Sequence, residues 1–437
     1  MIDKLKKKVE STFGQKIRNR GDCERLSEMI FDVTKQQLSY NTLRRFFGLA
    51  SSTKPRLFTL NVLSVFIGYQ SYQDFSKRVN SIDDWREWEV VYDYLDNGSF
   101  EEVISLLGTQ LIKEVSFNNI LITISRELII RGRYDDFNTI MNQDWMMFSK
   151  REYNHVIRFG NAVGSLLRFE DVPQNTLMEF LSSPNYIDGV YKIFVDYSSL
   201  TATYGYQVDC VYENLNKYNS ETKLFTVAMK YWKDCLLNGY QYANRQSYPR
   251  IKTPKDIHPI LSGRLMIKEY LVHKGNEIQS RRILLDFKKQ IKTLPPQISE
   301  FLYEPMNVTL YFNDFVLFDY IHEIINEQDV ELNYWYQQYH HTIFRLILVI
   351  RYIHHGEIGL AKNLFNSIET NSFRGSYRKF HSVFYYIVEY HLSNSKTKKQ
   401  SVLQTYRRLT EMIKIPMFTE DYILHYFSPS FRSPYLV

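Results

Sequence analysis

The sequence predicts an all-α fold divided into two parts, a small head and a long helical body. Only 17 Gly and 12 Pro interrupt the chain, so few positions favour the tight turns of a β architecture. Apolar residues recur at i, i+3, i+4 and i+7 in many segments, which is the period of an amphipathic helix. A length of 437 residues exceeds what one hydrophobic core usually supports, so more than one domain is expected.

Charge is distributed unevenly between the two parts. Residues 1–80 hold 15 Lys and Arg against 7 Asp and Glu, a net charge of +8, whereas residues 81–437 have a net charge of −2. A positive segment beside a nearly neutral body is typical of a protein in which one domain alone contacts a polyanion. We therefore predict a domain boundary at 80/81, with the head before it and the body after it.

The first long helix of the head is expected to follow a basic helix or arm at residues 1–20. Asp22 is a favourable N-cap residue, and the segment after it repeats apolar side chains with helical period. We expect four of these side chains to form one buried face, namely Leu26, Met29, Ile30 and Val33.

A shorter helix is predicted directly after Ser39, which is expected to cap it. Its apolar side chains would face the core, namely Leu43, Phe46 and Phe47. Its polar side chains lie at positions i, i+3 and i+4 and would share one exposed face, namely Asn41, Arg44 and Arg45. A third helix is expected after Pro55, ending at Gly68, and Ser71 is expected to cap a further one.

The segment from Leu38 to Phe75 is similar to the second half of a phage-repressor (Cro-like) helix-turn-helix domain. In that family a Ser-capped recognition helix ends at a glycine, and a loop with Lys/Arg-Pro leads to a helix that begins Thr-Leu. The matching positions here are Ser39, Thr42, Leu43, Gly48, Lys54, Pro55, Thr59, Leu60, Leu63 and Gly68. The resemblance covers about a tenth of the chain and implies that the head binds DNA.

One departure from the family pattern lies between the two central helices. The family joins them by a tight turn, whereas the segment from Leu26 to Ser39 is several residues longer. The sequence therefore implies either a longer first helix or a more open turn. Either change would alter the angle at which the second helix meets DNA.

Candidate DNA contacts lie on the predicted recognition helix and in the loop after it. In the major groove, Arg can bind guanine and Asn can bind adenine through two hydrogen bonds each. Cations in the loop can bind phosphates and set the register. The candidates are Tyr40, Asn41, Thr42, Arg44, Arg45, Lys54 and Arg56. The alternatives are a head that docks onto a protein, with its arginines on a solvated face, and a head that binds RNA or another polyanion.

The body shows one repeated pattern. Gly98 and Gly132 are 34 residues apart, and each is followed by an aromatic residue, an acidic pair and an apolar helix. This is the length of a tetratricopeptide repeat. The segment from His354 repeats the turn and the helix out of phase, so the body resembles a degenerate tetratricopeptide-like solenoid, with an irregular helical bundle as the alternative.

Three further breaks in the helical pattern are expected, near residues 80–84, 246–259 and 294–296. The middle one contains three prolines and could divide the body. We favour a loop inside the solenoid, because helices of similar kind lie on both sides.

The sequence lacks the signatures of common enzymes. It has no GxxxxGK[ST], GxGxxG or HExxH, so we predict no catalytic residue, no metal site and no cofactor. Cys23, Cys210 and Cys235 form no CxxC pair and are odd in number, which favours the reducing cytoplasm. No apolar stretch reaches the roughly 18 to 20 residues of a membrane span, so no membrane partner is expected.

These observations lead to two main hypotheses. The first is a transcription regulator whose head binds double-stranded DNA and whose solenoid binds a peptide, a protein or a second copy of the chain. The architecture resembles peptide-responsive regulators that pair a repressor-like head with tetratricopeptide repeats, and the ligand role is implied by that resemblance alone. The second is an interaction scaffold whose basic head docks a protein partner. An enzyme assembled from residues distant in sequence is a third option.

Overall fold

In a computed structural model of the chain, the regular secondary structure of the described residues consists of helices. Among the described residues there is no β-strand, which confirms the predicted all-α class. The chain divides into two compact units, 1–113 and 114–437. The residues that the structure describes are 2–51, 55–76, 92–93, 95–96, 100–110, 114–148, 153–254, 257–291, 298–328, 338–369, 373 and 376–428.

The first unit contains the basic head. The predicted boundary at 80/81 falls in residues 77–91, which lie outside the described residues, so it stays a prediction. The helices of this unit are α1 (Ile2–Phe13), α2 (Arg20–Thr34), α3 (Tyr40–Phe46), α4 (Leu57–Phe66) and α5 (Phe100–Gln110). One hydrophobic core joins α1 to α4, and its fully buried side chains include Leu5, Val9, Cys23, Leu26, Ile30, Leu43, Leu63 and Phe75.

Helix α2 begins earlier than the sequence predicted. Its N-cap is Asn19, whose side chain accepts the Asp22 N–H at 3.0 Å. The carboxylate of Asp22 accepts the Asn19 N–H at 3.2 Å in return, which forms a capping box. The prediction of Asp22 as the N-cap is therefore wrong by three residues, because the carboxylate acts from the third helical position.

The buried face of α2 also differs from the prediction. Leu26 and Ile30 are fully buried as expected, but Met29 is 39% and Val33 is 60% exposed. Cys23 completes the buried face instead. The apolar residues of α2 form two neighbouring stripes, and only the stripe that includes Cys23 faces the core.

The second unit is built from helices that mostly pack on the next helix or the next but one. Short helical turns at 184–191, 197–199 and 215–217 lie between longer helices. In the described residues no helix is both long and apolar enough to cross a membrane. The helices are α6 (Glu114–Ile130), α7 (Tyr134–Met141), α8 (Tyr153–Leu167), α9 (Gln174–Ser182), α10 (Thr203–Glu213), α11 (Ser220–Asn238), α12 (Tyr240–Arg245), α13 (Pro259–Val272), α14 (Glu277–Ile291), α15 (Ile298–Phe312), α16 (Phe315–Gln328), α17 (Gln338–His354), α18 (Ile358–Phe365), α19 (Arg378–Leu392), α20 (Lys396–Ile413) and α21 (Glu420–His425).

Two glycines end helices of the second unit in the same way. Gly132 follows α6 with φ +68°, and Gly356 follows α17 with φ +75°. In both turns the next residue donates its N–H at 2.8 Å to the carbonyl oxygen five residues earlier, which is the Schellman motif. A new helix follows each turn, as predicted. Gly98 lies outside the described residues, so the 34-residue period stays a prediction.

In the second unit, residues that are far apart in the sequence also contact each other. At the end of α8, Arg168 Nε lies 2.5 Å from the Asp196 carboxylate, and its terminal nitrogen donates to the Ser376 carbonyl oxygen at 2.9 Å. In an open solenoid each repeat contacts only its neighbours. The second unit therefore also joins segments that are about 200 residues apart.

The proline-rich segment expected at residues 246–259 connects helices of one unit. Its described residues before Pro259 carry no helix. On its two sides, α11 and α13 pack against each other. This is the arrangement expected of a loop. The break expected at residues 294–296 lies outside the described residues.

Candidate nucleic-acid interface

Helix α3 is held at both ends by hydrogen bonds. Ser39 Oγ accepts the Thr42 N–H at 3.2 Å, which confirms the predicted N-cap. At the other end Gly48 has φ +78°, and the Leu49 N–H donates to the Arg44 carbonyl oxygen at 2.8 Å. Glycine suits this position because it adopts a positive φ without strain. The seven residues of α3 therefore form a helix with defined ends.

Apolar side chains and one hydrogen bond fix α3 against α2. Leu43 is fully buried and Phe46 is only 4% exposed. In the connection between the helices, Lys35 ends α2 in the left-handed conformation, and the Ser27 hydroxyl donates to the Leu38 carbonyl oxygen. The connection has five residues, which matches the more open turn, one of the two alternatives that the sequence left open. Helix α3 is thus anchored on its inner face.

Asn41 and Arg45 form the outer face of α3. Both side chains are exposed. They are four residues apart, so they lie on the same side of the helix, about 6 Å apart along its axis. Neither makes a side-chain hydrogen bond or an ion pair with the residues that the structure describes. An amide and a guanidinium are therefore available side by side, which is the chemistry that reads adenine and guanine.

Arg44 is less exposed than Asn41 and Arg45, the other two polar residues of α3. Its side chain is half-buried. Burial raises the pKa of the Cys23 thiol, and the nearby Arg44 guanidinium opposes that rise. Cys23 belongs to α2, which packs against α3. The three predicted side chains are therefore not equally exposed, and the outer face consists of Asn41 and Arg45.

The ring of Tyr40 is covered by a residue that the sequence did not single out. The Arg20 guanidinium carbon lies 4.7 Å from the centroid of the half-buried Tyr40 ring, a cation–π contact. Arg20 Nε also lies 2.7 Å from a Glu24 carboxylate oxygen. Twenty residues separate Arg20 from Tyr40, so no local spacing could have revealed this pair. A ligand that contacts Tyr40 would also meet Arg20.

The remaining candidates have different environments. The hydroxyl of the half-buried Thr42 lies 2.9 Å from Ser39 Oγ, so this side chain contributes to the cap. Arg56 is exposed at the start of α4 and makes no capping hydrogen bond there. Lys54 lies outside the described residues. Of the two candidate cations that follow α3 in the head, Arg56 is therefore the one within the described residues, and it can contact a phosphate.

The second unit contains a buried polar cluster, which we define as Arg264, Glu304, Tyr197 and Tyr377. An Arg264 guanidinium nitrogen lies 2.6 Å from Glu304 Oε1, and the two side chains are 8% and 2% exposed. The Tyr377 hydroxyl donates to the same oxygen at 2.8 Å, and the Tyr197 hydroxyl donates to Oε2. Burial raises the pKa of both tyrosines well above the usual value, so they remain donors. The cluster therefore links α13, α15 and the residue that precedes α19 through buried hydrogen bonds.

Metal ligands do not converge in the described part of the chain. No three His, Cys, Asp or Glu side chains there are arranged to hold an ion. Cys23, Cys210 and Cys235 are free thiols.

Comparisons with known proteins add no relative. No protein-family model matches the chain, and there is no significant match among curated proteins or solved structures.

Proposed function

We propose that this protein is a DNA-binding transcription regulator whose head contacts double-stranded DNA through α3. The observation that supports this proposal is the exposed pair of Asn41 and Arg45 on a helix with defined ends, in a head with a net charge of +8. A recognition helix presents such side chains to base edges, while cations around it bind phosphates. The resemblance of residues 38–75 to Cro-like domains supports the same role.

In this proposal the second unit is a tetratricopeptide-like sensor or dimerisation domain that works in the cytoplasm. It binds a peptide, a protein or a second copy of the chain. The sequential packing of its helices supports the repeat architecture. In a homodimer, two copies of α3 about 34 Å apart would read a palindromic site.

The experiment that tests DNA binding uses the full chain and a pool of genomic DNA fragments. Retained fragments are sequenced, and the affinity for an enriched fragment is measured by fluorescence anisotropy at several salt concentrations. A protein that neutralises about six phosphates loses roughly a thousandfold in affinity between 50 and 200 mM salt. We expect a steep fall of this kind. Absence of binding at the lowest salt concentration would overturn the proposal.

A second candidate function, a protein-docking scaffold, is favoured by exposed apolar side chains of the head. On α4, Leu57 is 66% and Phe58 is 57% exposed, and on α2 Phe31 is 47% exposed. Exposed apolar surface is typical of protein contacts. A Phe58→Asp variant separates the two functions. The scaffold function is supported if the natural chain binds no DNA and the Phe58→Asp variant no longer binds a specific protein partner.

A further inference from the structure

The second unit contains a cavity of about 470 Å³ that has no place in the proposal above. We define it by its position between the C-terminal ends of α9 and α10 and the start of α11. Small-molecule sites in proteins are concave and have volumes of about 300 to 1,000 Å³. The size of this cavity therefore suits a small organic ligand.

One wall of the cavity is apolar. Met178 and Leu181 of α9 and Ile187 of the following turn contribute aliphatic side chains. Cys210 of α10 lies beside them, and burial raises the pKa of its thiol, which keeps it uncharged at neutral pH. Aliphatic side chains of this kind accommodate a flexible hydrocarbon. Tyr218 also lines the cavity, and its hydroxyl donates to the Leu181 carbonyl oxygen at 3.1 Å.

The charged side chains of the cavity are not equally available. Asp188 lines it, but its carboxylate lies 2.7 Å from Lys192 Nζ and is already paired. Lys217 is exposed, in the short turn before α11, and has no carboxylate partner among the described residues. The Thr222 N–H at the start of α11 already donates a hydrogen bond to the Asn219 side chain at 2.8 Å. The Lys217 ammonium is therefore the group that can receive an anion.

We infer that this cavity binds a small aliphatic carboxylate. The hydrocarbon chain lies against Met178, Leu181 and Ile187, and the carboxylate pairs with the Lys217 ammonium. An ammonium beside an apolar wall selects for a molecule with a charged end and an apolar body, because either part alone satisfies only half of the site. The inference concerns the second unit alone and does not depend on DNA binding by the head.

The test is isothermal titration calorimetry of the full chain with octanoate, and with octan-1-ol as the neutral analogue. We expect saturable binding of octanoate and at least tenfold weaker binding of the alcohol. Lys217→Gln should weaken octanoate binding about tenfold, since a charge-assisted hydrogen bond is lost. It should leave the alcohol unaffected. Met178→Glu, at an exposed position of the apolar wall, should weaken both ligands.

Lys252→Gln is the matched control, because Lys252 is an exposed lysine of the same unit that does not line the cavity. Thermal unfolding of each variant verifies that it folds. No saturable octanoate binding would overturn the inference. Binding that Lys217→Gln and Met178→Glu both leave unchanged would place the ligand elsewhere, and equal affinities for octanoate and the alcohol would refute the role of Lys217.

Discussion

A β-carbon on Gly263 would lie 2.2 Å from the carbonyl oxygen of Phe301, so these two residues bring the backbones of α13 and α15 into direct contact. Pro305, inside α15, is four residues after Phe301 and has no N–H to donate to that oxygen. The two helices therefore approach each other where the proline leaves a carbonyl without its helical partner. A residue larger than glycine has no room there.

Gly263→Ala is expected to lower the free energy of unfolding by roughly 1–3 kcal/mol, because the backbone of α15 must move away from the added methyl group. The matched control is Gly359→Ala in α18, where an added β-carbon meets no atom within 4 Å. That change should raise stability by about 0.5–1 kcal/mol through helix propensity. Urea denaturation of both variants measures the difference in the free energy of unfolding. Equal changes in the two variants would show that the contact between Gly263 and Phe301 leaves room for a methyl group.

Glu304→Gln is expected to destabilise the protein by about 3–5 kcal/mol, because it leaves the buried Arg264 charge without its counter-ion. Glu277→Gln is the control. Its carboxylate pairs with Arg281, and both side chains are more than 70% exposed, so the change should cost less than about 1 kcal/mol. Thermal unfolding compares the two variants. A small effect of Glu304→Gln would mean that the fold tolerates the Arg264 charge without its counter-ion.

The stability of the second unit should fall as the pH drops from 6.5 towards 4. Burial lowers the pKa of His354 from 6.5 to about 4. Its ring packs on Phe427 at 5.0 Å between centroids, and Nε2 lies 2.8 Å from Asn313 Oδ1. In the unfolded chain the His354 imidazole binds a proton near pH 6.5, whereas in the folded chain it does so only near pH 4. The stability contributed by the neutral imidazole is therefore fully present above pH 6.5 and is lost as the pH falls towards 4.

His354→Gln tests this pH dependence, because glutamine stays neutral across the range. The free energy of unfolding is measured by urea denaturation at pH 7.5 and pH 5. We expect the variant to lose less stability than the natural chain on acidification. Identical losses in the two proteins would contradict a neutral, half-buried His354.

Local features of the head could be read from the sequence, whereas contacts between distant residues could not. Ser39 as a cap depends on a few neighbouring residues and was predicted correctly, whereas Gly48 as a helix end was implied by the resemblance to Cro-like domains. The first cap was missed because Asn19 and Asp22 cap reciprocally, so either residue alone matches the pattern. Met29 was assigned to the core because periodicity does not tell which of two apolar stripes is covered.

In the second unit the missed features depend on the tertiary fold. Arg264 and Glu304 are 40 residues apart, and each looks like an ordinary surface charge in the sequence. Gly263 and Pro305 are each unfavourable inside a helix, and their fit to one another appears only when α13 and α15 are packed together. The cavity lined by Lys217 likewise combines residues of α9, α10 and the segment before α11.

DNA binding by the Arg45→Ala variant of the full chain, on a fragment enriched by the natural protein, examines the proposed role of α3. The loss of one base contact should cost about 1–3 kcal/mol of binding free energy. Arg282→Ala is the control, since it removes the same charge from an exposed position in the second unit. We expect Arg45→Ala to weaken binding and Arg282→Ala to leave it unchanged. If both variants bind the fragment as tightly as the natural chain, the outer face of α3 does not read DNA.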